Sequence, residues 1–232
     1  MNDPLGNALL EYYNTGEEQK LKVHSRDVHT DIYKASYFFR DFEEMPLLEK
    51  KALKMCKGKV LDVGAGAGCH STWLQQKGFD VTAIDTSPGA VETMNQRGVA
   101  KGFCESIYDH NGEYDTILML MNGIGLAGKL KNVGTLLQKL KRLLKADGQI
   151  LTDSSDIFHL YDSLDGDDLL NFEKEYLGEV SFQFENKGIR SNWFDWIYLD
   201  QRTFREIATS VGFKFEVVDN DSTKAYLAHL YF

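Results

Sequence analysis

The sequence predicts an α/β fold on a mostly parallel sheet, with a helical segment before it and a β-hairpin inserted late in the chain. Three observations carry this. Short apolar runs alternate with amphipathic helical patterns through the middle of the chain, the rhythm of β-α-β units. One run leads into a turn with three glycines, Gly64-Ala65-Gly66-Ala67-Gly68, of the kind that lets backbone approach a ligand closely. The next run ends in an acid, Asp85, 17 residues past Gly68.

Composition bounds the rest. With 232 residues, 43% hydrophobic, 26% charged and three prolines, the chain suits one domain with a sizeable core, or at most two small ones, and excludes disorder and collagen. The net charge of −9, from 35 acidic and 26 basic residues, argues against a broad nucleic-acid footprint. Cys56, Cys69 and Cys104 lie far apart and form no CxxC, so a reducing compartment, the cytoplasm, is expected, with no disulfide or zinc framework. The richest apolar run, residues 116–121, is cut by Asn122 and Gly123, and the opening MNDPLGNALL has no basic stretch. Neither a membrane span nor an ordinary secretory signal is expected.

In chain order, residues 8–57 read as helix and loop, rich in aromatics and ending in an amphipathic run over 46–57 that Gly58 stops. Residues 1–57 are therefore expected to form an N-terminal helical cap, and 58–232 the main domain. Strands are expected at 59–63, 81–84, 99–104, 116–121 and 149–152. Before the fifth, Leu130, Val133, Leu136, Leu137, Leu140, Leu143 and Leu144 recur at helical spacing, with Asp147-Gly148 as the stop and lysines on the solvated faces. Beyond Asp153 comes an acidic stretch, then two aromatic strands, 180–185 and 190–199, around Asn186-Lys187-Gly188, a hairpin signal. Residues 154–199 thus read as an insertion that covers the site as a lid. Asp200 is an N-cap for a helix to Val211 with Gly212 behind it, and strands at 214–218 and 226–232 finish the chain.

The glycine turn follows the strand Val60-Leu61-Asp62-Val63, so an acid sits two residues before it. A dinucleotide fingerprint GxGxxG from Gly64 needs glycine where this chain has Cys69. The spacing is GxGxG, and Asp85 stands where a strand-end carboxylate takes both hydroxyls of a ribose.

These residues resemble the class I S-adenosylmethionine-dependent methyltransferase family over about residues 58–153, with D/E-x-G-x-G-x-G and a second acid at the next strand end. Asp115 to Gly123 looks like the family's fourth strand, and Leu144-Lys145-Ala146-Asp147-Gly148-Gln149-Ile150-Leu151 like its LKPGG-x-L entry to the fifth, with Ala146-Asp147 in place of Pro-Gly. The resemblance implies a doubly wound, seven-stranded sheet with helices on both faces, S-adenosylmethionine as methyl donor, and an acceptor. It places Gly64, Gly66 and Gly68 under the methionine and ribose, Asp62 near the methionine amino group, and Asp85 on the ribose hydroxyls. Glu105 and Ser106 fall in the adenine-contacting segment, Asn122 and Gly123 beside the transferring methyl, and Arg40 is a candidate for the methionine carboxylate.

No catalytic residue is singled out, since sulfonium methyl transfer needs alignment more than acid or base. Where a proton must leave, Asp153, Asp156, His159, Tyr33 and Tyr37 are the candidate bases. His70 beside Cys69 reads as packing or solvation, because neighbours on a helix point apart. No metal is expected, as Asn122 replaces the acid that a magnesium-dependent branch would use. The expected acceptor is a small molecule, methylated at N, O or S. The window 153–179 holds nine acids against Lys174 and carries −8 of the net charge, which favours a neutral or cationic acceptor or else is a solvated loop. Trp193, Phe194, Trp196 and Tyr198 either line that pocket or pack the hairpin, which could also support a homodimer. The alternatives are an NAD(P)-dependent oxidoreductase, a nucleoside-binding regulator without acceptor chemistry, and an RNA or protein methyltransferase.

Overall fold

The computed structural model describes residues 2–161 and 175–232. In chain order the elements are α1 (Pro4–Thr15), β1 (Lys20–Ser25), β2 (Asp31–Lys34), a 3-10 turn (Ala35–Phe39), α2 (Leu47–Met55), β3 (Lys59–Val63), α3 (Cys69–Gln76), β4 (Asp80–Asp85), α4 (Pro88–Gln96), β5 (Gly102–Cys104) and β6 (Tyr114–Met119). A second 3-10 turn (Gly123–Ala127) leads to α5 (Leu130–Leu143), β7 (Leu144–Ser155), β8 (Glu179–Asn186), β9 (Ile189–Arg190), β10 (Phe194–Ile197), α6 (Gln201–Val211), β11 (Lys214–Asn220) and β12 (Ala225–Tyr231).

The main sheet has seven strands in the order β11-β12-β7-β6-β3-β4-β5. Strand β3 lies inside the sheet, and its Val60, Leu61, Asp62 and Val63 are all buried, the pattern of a strand covered on both faces. It pairs in parallel with β4 and β6, while β12 runs antiparallel to both β7 and β11. The carboxyl ends of β3 and β4, either side of the glycine loop, and of β6 and β7 therefore open on one edge, where ligands bind in such sheets.

The apolar stripe of α5 is buried at Val133, Leu136, Leu137, Leu140 and Leu143. Three of its lysine-rich region's ammonium groups are tied to neighbours: Lys139 to the His110 carbonyl at 2.6 Å, Lys141 to the Val211 carbonyl at 2.8 Å, and Lys145 to Asp115 at 2.7 Å. The helix stops earlier than the Asp147-Gly148 signal: Leu144 already pairs with Tyr114, and a register shift before the Thr116–Gln149 pair absorbs the residues between. The Asp200 carboxylate accepts from the Arg202 and Thr203 amides at 3.0 Å, and Gly212 ends α6 at φ 91°.

The helical reading of residues 8–57 fails over 20–34, which form two strands. Leu21 and Val23 alternate inward with exposed neighbours, a period-two pattern that becomes stable only when its partner is present. That partner is β8, through pairs such as Lys22 with Glu185, too distant in sequence for a local window to reveal. The result is a second, antiparallel sheet, β10-β8-β1-β2 with β9 on β8, in which the N-terminal segment and residues 179–197 share one element. The acids Asp162, Asp165, Asp167, Asp168 and Glu173, with the His159 side chain, lie outside the described residues.

Helix α1 lies against α4. Asp3 fastens it, accepting from the Gly6 amide at 2.8 Å, the Gly89 amide at 3.0 Å and the Ser87 hydroxyl at 2.8 Å. A Cβ on Gly89 would stand 2.6 Å from the Gly6 carbonyl carbon. Gly89→Ala is therefore expected to cost about 1–3 kcal/mol by forcing the helices apart, read as a lower denaturant midpoint at unchanged slope.

Candidate active site

The strand-end edge carries a cavity of about 510 Å³, adjoined by a second of about 560 Å³. Gly64, Asp85, Leu126, Phe194 and Trp196 belong to the walls of both. The glycine loop forms the floor. Gly64 and Ala65 donate their amides to the Ile84 carbonyl at 2.9 and 3.1 Å, folding the loop over β4. Gly66, at φ 56°, donates to Asp85 Oδ2 at 2.9 Å, and a Cβ there would meet only Phe38 Cδ1, at 3.9 Å. Gly66 is thus in the left-handed region with open space above it, as a backbone cradle requires. Gly68 is different: it precedes α3 at φ 77°, is not in the cavity wall, and a Cβ would press Met94 and Val99 at 3.0 Å. It packs behind the loop, against α4 and the turn that follows it.

Asp85 accepts from the Gly66 and Ser87 amides, one on each oxygen at 2.9 Å. A carboxylate has about four acceptor sites, so each oxygen keeps capacity toward the cavities. Burial pushes its pKa up, against the pull of those amides. Asp62 is 1% exposed and accepts from the Ser71 hydroxyl at 2.6 Å. Burial raises it too, opposed by His70 and Ser71. Glu105 and Ser106 stand with Asp85 in the second cavity's wall. His110 fixes Glu105 at 2.7 Å through Nδ1 and meets the Tyr114 hydroxyl at 2.8 Å through Nε2.

Asn122 and Gly123 line the first cavity. The Asn122 side chain is engaged elsewhere, donating to the Ile197 carbonyl at 3.0 Å and accepting from the Ser154 hydroxyl at 3.0 Å, which ties β7 to β10. Its backbone amide, turned by φ 58°, donates to Asp153 Oδ1 at 2.8 Å. Arg40 needs correction. It is not in the wall of either cavity: its Nη2 meets both Glu49 oxygens at 2.9 Å and its guanidinium stacks on Tyr37 at 3.6 Å. The buried carboxylate of Glu49 takes its charge, in place of a ligand carboxylate.

Glu49 itself is missed by the sequence reading. It is 5% exposed, lines the first cavity, and accepts from His70 Nε2 at 2.7 Å on Oε2, the oxygen that Arg40 also meets. Burial would raise its pKa, but the His70 and Arg40 contacts outweigh this and hold it below the usual carboxylate range. Burial disfavours charge on His70, yet Cys69, Glu49 and Asp62 together hold its pKa well above the ordinary value. His70 is therefore part of a buried charge cluster, neither solvated nor inert packing. The available signal was Glu49 itself, an acid on the apolar face of α2 beside Leu48, Ala52 and Leu53.

Among the candidate bases, Tyr33, Tyr37 and Asp153 line the first cavity, whereas Asp156 instead caps the Phe158 amide at 2.9 Å. Burial pushes Asp153 up to about 7, with the Glu49 charge adding to it. Aromatic rings from the second sheet close the cavity over this end, among them Phe182, Phe184, Phe194 and Trp196, with Tyr198 just beyond β10. Trp193 faces the second cavity under the Arg26 guanidinium, 4.4 Å away. No group of three or more His, Cys, Asp or Glu among the described residues could hold a metal ion.

The family described as "Methyltransferase domain" matches residues 60–148. The chain is similar to a solved S-adenosylmethionine-dependent methyltransferase from Bacteroides fragilis in complex with S-adenosyl-L-homocysteine: 41% identity, TM-score 0.91, covering 99% of this chain and 94% of that one. It is also 32% identical over 92 residues to a 23S rRNA (uracil-C5)-methyltransferase of Pyrococcus horikoshii and 29% identical over 110 residues to a ubiquinone biosynthesis O-methyltransferase of Rickettsia conorii. Those two matches cover 39% and 44% of this chain, and 21% and 37% of the relatives' own lengths. The cavity fits the shared donor: open backbone at Gly66, acceptor capacity for a diol at Asp85, and an adjoining chamber that reaches Glu105 and Ser106. Glycine floor, strand-end acid and a full-length relative with the demethylated donor bound all agree, and the chain belongs to the class I S-adenosylmethionine-dependent methyltransferases.

Proposed function

We propose that this enzyme methylates a small molecule, at nitrogen, oxygen or sulfur. The observation that carries the reading is the second sheet: it sets a wall of aromatic rings over the same cavity that the glycine loop floors. A chamber of about 510 Å³ is within the range of small-molecule sites. On this reading residues 58–153 with 200–232 hold the donor, and the sheet made from 20–34 and 179–197 is the acceptor lid.

The donor supplies a methyl on a sulfonium with a neutral leaving group. The chain's own residues bind and align. Asp85 takes the ribose hydroxyls, Glu105 and Ser106 contact adenine, Asp62 faces the methionine ammonium, and Asn122 and Gly123 flank the transferring methyl. Arg40 acts at one remove, fixing Glu49 in the wall. Closure by the aromatic lid excludes water and holds acceptor and methyl in line, where proximity alone is worth several powers of ten.

An RNA acceptor is disfavoured by the tied lysines around α5 and by an overall charge of −9. No helix among the described residues is long and apolar enough to cross a membrane, and the three cysteines are free thiols, which supports a cytoplasmic setting. The test is radiolabelled methyl transfer into a cell extract divided by ultrafiltration. Label is expected in the small-molecule filtrate. Label confined to RNA or protein in the retentate would overturn the reading.

A further inference from the structure

The acceptor half of the cavity is charged in one sense. Asp31, Glu49, Asp153 and Asp221 stand in its wall, and no lysine or arginine does among the described residues. Glu49 is matched by Arg40 and His70. Asp221 is taken up by its own turn, accepting from the Thr223 amide and hydroxyl and the Ala225 amide, which leaves Asp31 and Asp153 open. Asp153 lines the cavity and accepts the Asn122 amide on Oδ1, with Oδ2 left to accept, and the Asp31 carboxylate has no hydrogen-bond or ion-pair partner among the described residues.

Three tyrosines, Tyr33, Tyr37 and Tyr198, share the cavity wall with these acids. Tyr198 is within electrostatic reach of both Asp31 and Asp153, Tyr33 of Asp31, and Tyr37 of Asp153. Tyr33 and Tyr37 are 6.0 Å apart, centroid to centroid. Burial pushes all three phenols above their usual range, so they present neutral rings and hydroxyls rather than bases. Electron-rich faces combined with unmatched carboxylates are the chemistry that recognises an organic cation.

We infer that the acceptor is an amine entering as its ammonium, seated between Asp31 and Asp153 against Tyr33 and Tyr198, and that Asp153 Oδ2 takes the proton that frees the nitrogen lone pair. This deepens, and rests on, the small-molecule reading above. The proton passes from nitrogen to the carboxylate. The freed pair then forms the N–C bond as the C–S bond breaks, with its electrons going to sulfur, so the product ammonium carries the charge that the sulfonium loses. An alkylammonium ionises at about 10, within a few units of a carboxylate held near neutrality, whereas an alcohol is far out of its reach.

The groups facing Asp153 set when it is charged. Glu49 of α2, His70 of α3, Tyr37 of the 3-10 turn, the Asn122 amide after β6, Tyr198 after β10 and Tyr226 of β12 surround it. With burial dominant it is neutral below about 7 and charged above. Reaction with an amine is therefore expected to rise with pH through that value.

Calorimetry on the protein saturated with S-adenosylhomocysteine at pH 8 tests this with two matched probes, phenethylamine and phenethyl alcohol. The amine is expected to bind about tenfold more tightly. Asp153→Asn, which keeps an oxygen for the Asn122 amide, is expected to reduce the preference to threefold or less, with S-adenosylhomocysteine binding as the check on folding. Should that variant not fold, Asp31→Asn, on the exposed strand β2, is expected to lower amine affinity and leave the alcohol unaffected. Equal affinities, or a preference that survives whichever variants fold, overturn the amine inference and leave the small-molecule reading intact. Binding of neither probe up to about 1 mM also overturns it, while the filtrate-against-retentate partition of label decides the broader reading separately.

Discussion

Asp85→Ala is expected to weaken S-adenosylhomocysteine binding by about 100-fold or more. The substitution removes a charged acceptor from two ligand hydroxyls, each such bond worth about 1.5–3 kcal/mol. It also frees the Gly66 amide, which Asp85 holds at 2.9 Å, so the glycine floor loses the partner that shapes it. Asp85→Asn separates these effects, because the amide keeps one acceptor oxygen and loses the charge. Its affinity is expected between the two. Calorimetry gives the comparison, with an unchanged far-ultraviolet spectrum showing that the sheet is intact. A loss below threefold in Asp85→Ala would mean that the ribose lies elsewhere.

The second large effect is on stability. Glu49→Ala leaves Arg40 and His70 facing each other in the interior without their shared anion, since Glu49 contacts both at 2.7–2.9 Å. Breaking a buried pair from one side costs about 3–5 kcal/mol, and this is the expected drop in unfolding free energy. The pH dependence follows from the two shifts. The depressed pKa of Glu49 contributes stability that is present above its ordinary value of 4.5 and lost as pH falls through the folded value. His70, raised above 6.5, contributes stability that is present below that value and lost as pH rises through the folded one. Denaturant titrations are thus expected to show the cluster's contribution greatest between about 4.5 and 6.5 and reduced in Glu49→Ala, where only Cys69 and Asp62 still favour charge on His70. A pH profile of stability identical in the two proteins would remove the cluster from the account.

The central sheet and donor loop were legible because their signals are local. Strands β3, β4 and β6 are apolar runs, Gly64 and Gly66 need left-handed backbone, and Asp85 ends a strand. Two other features were not. Strands β1 and β2 depend on β8, a partner from the far end of the chain, so their residues looked like cap material until paired. Arg40 reads as a candidate for a ligand carboxylate because Glu49, which pairs with it and with His70, reaches it only in the fold. The aromatic hairpin left two readings open in sequence, packing face or pocket wall, and Phe194 and Trp196 serve as wall in both cavities.

The central claim is that the two adjoining cavities hold the donor across the glycine floor and present the methyl to the aromatic wall. A crystal structure of the chain with S-adenosylhomocysteine tests it most directly. The account predicts ribose hydroxyls on Asp85, adenine beside Glu105 and Ser106, and the sulfur directed past Asn122 toward Asp153 and the second sheet. A ligand whose ribose avoids Asp85, or whose sulfur faces away from the aromatic wall, would contradict it.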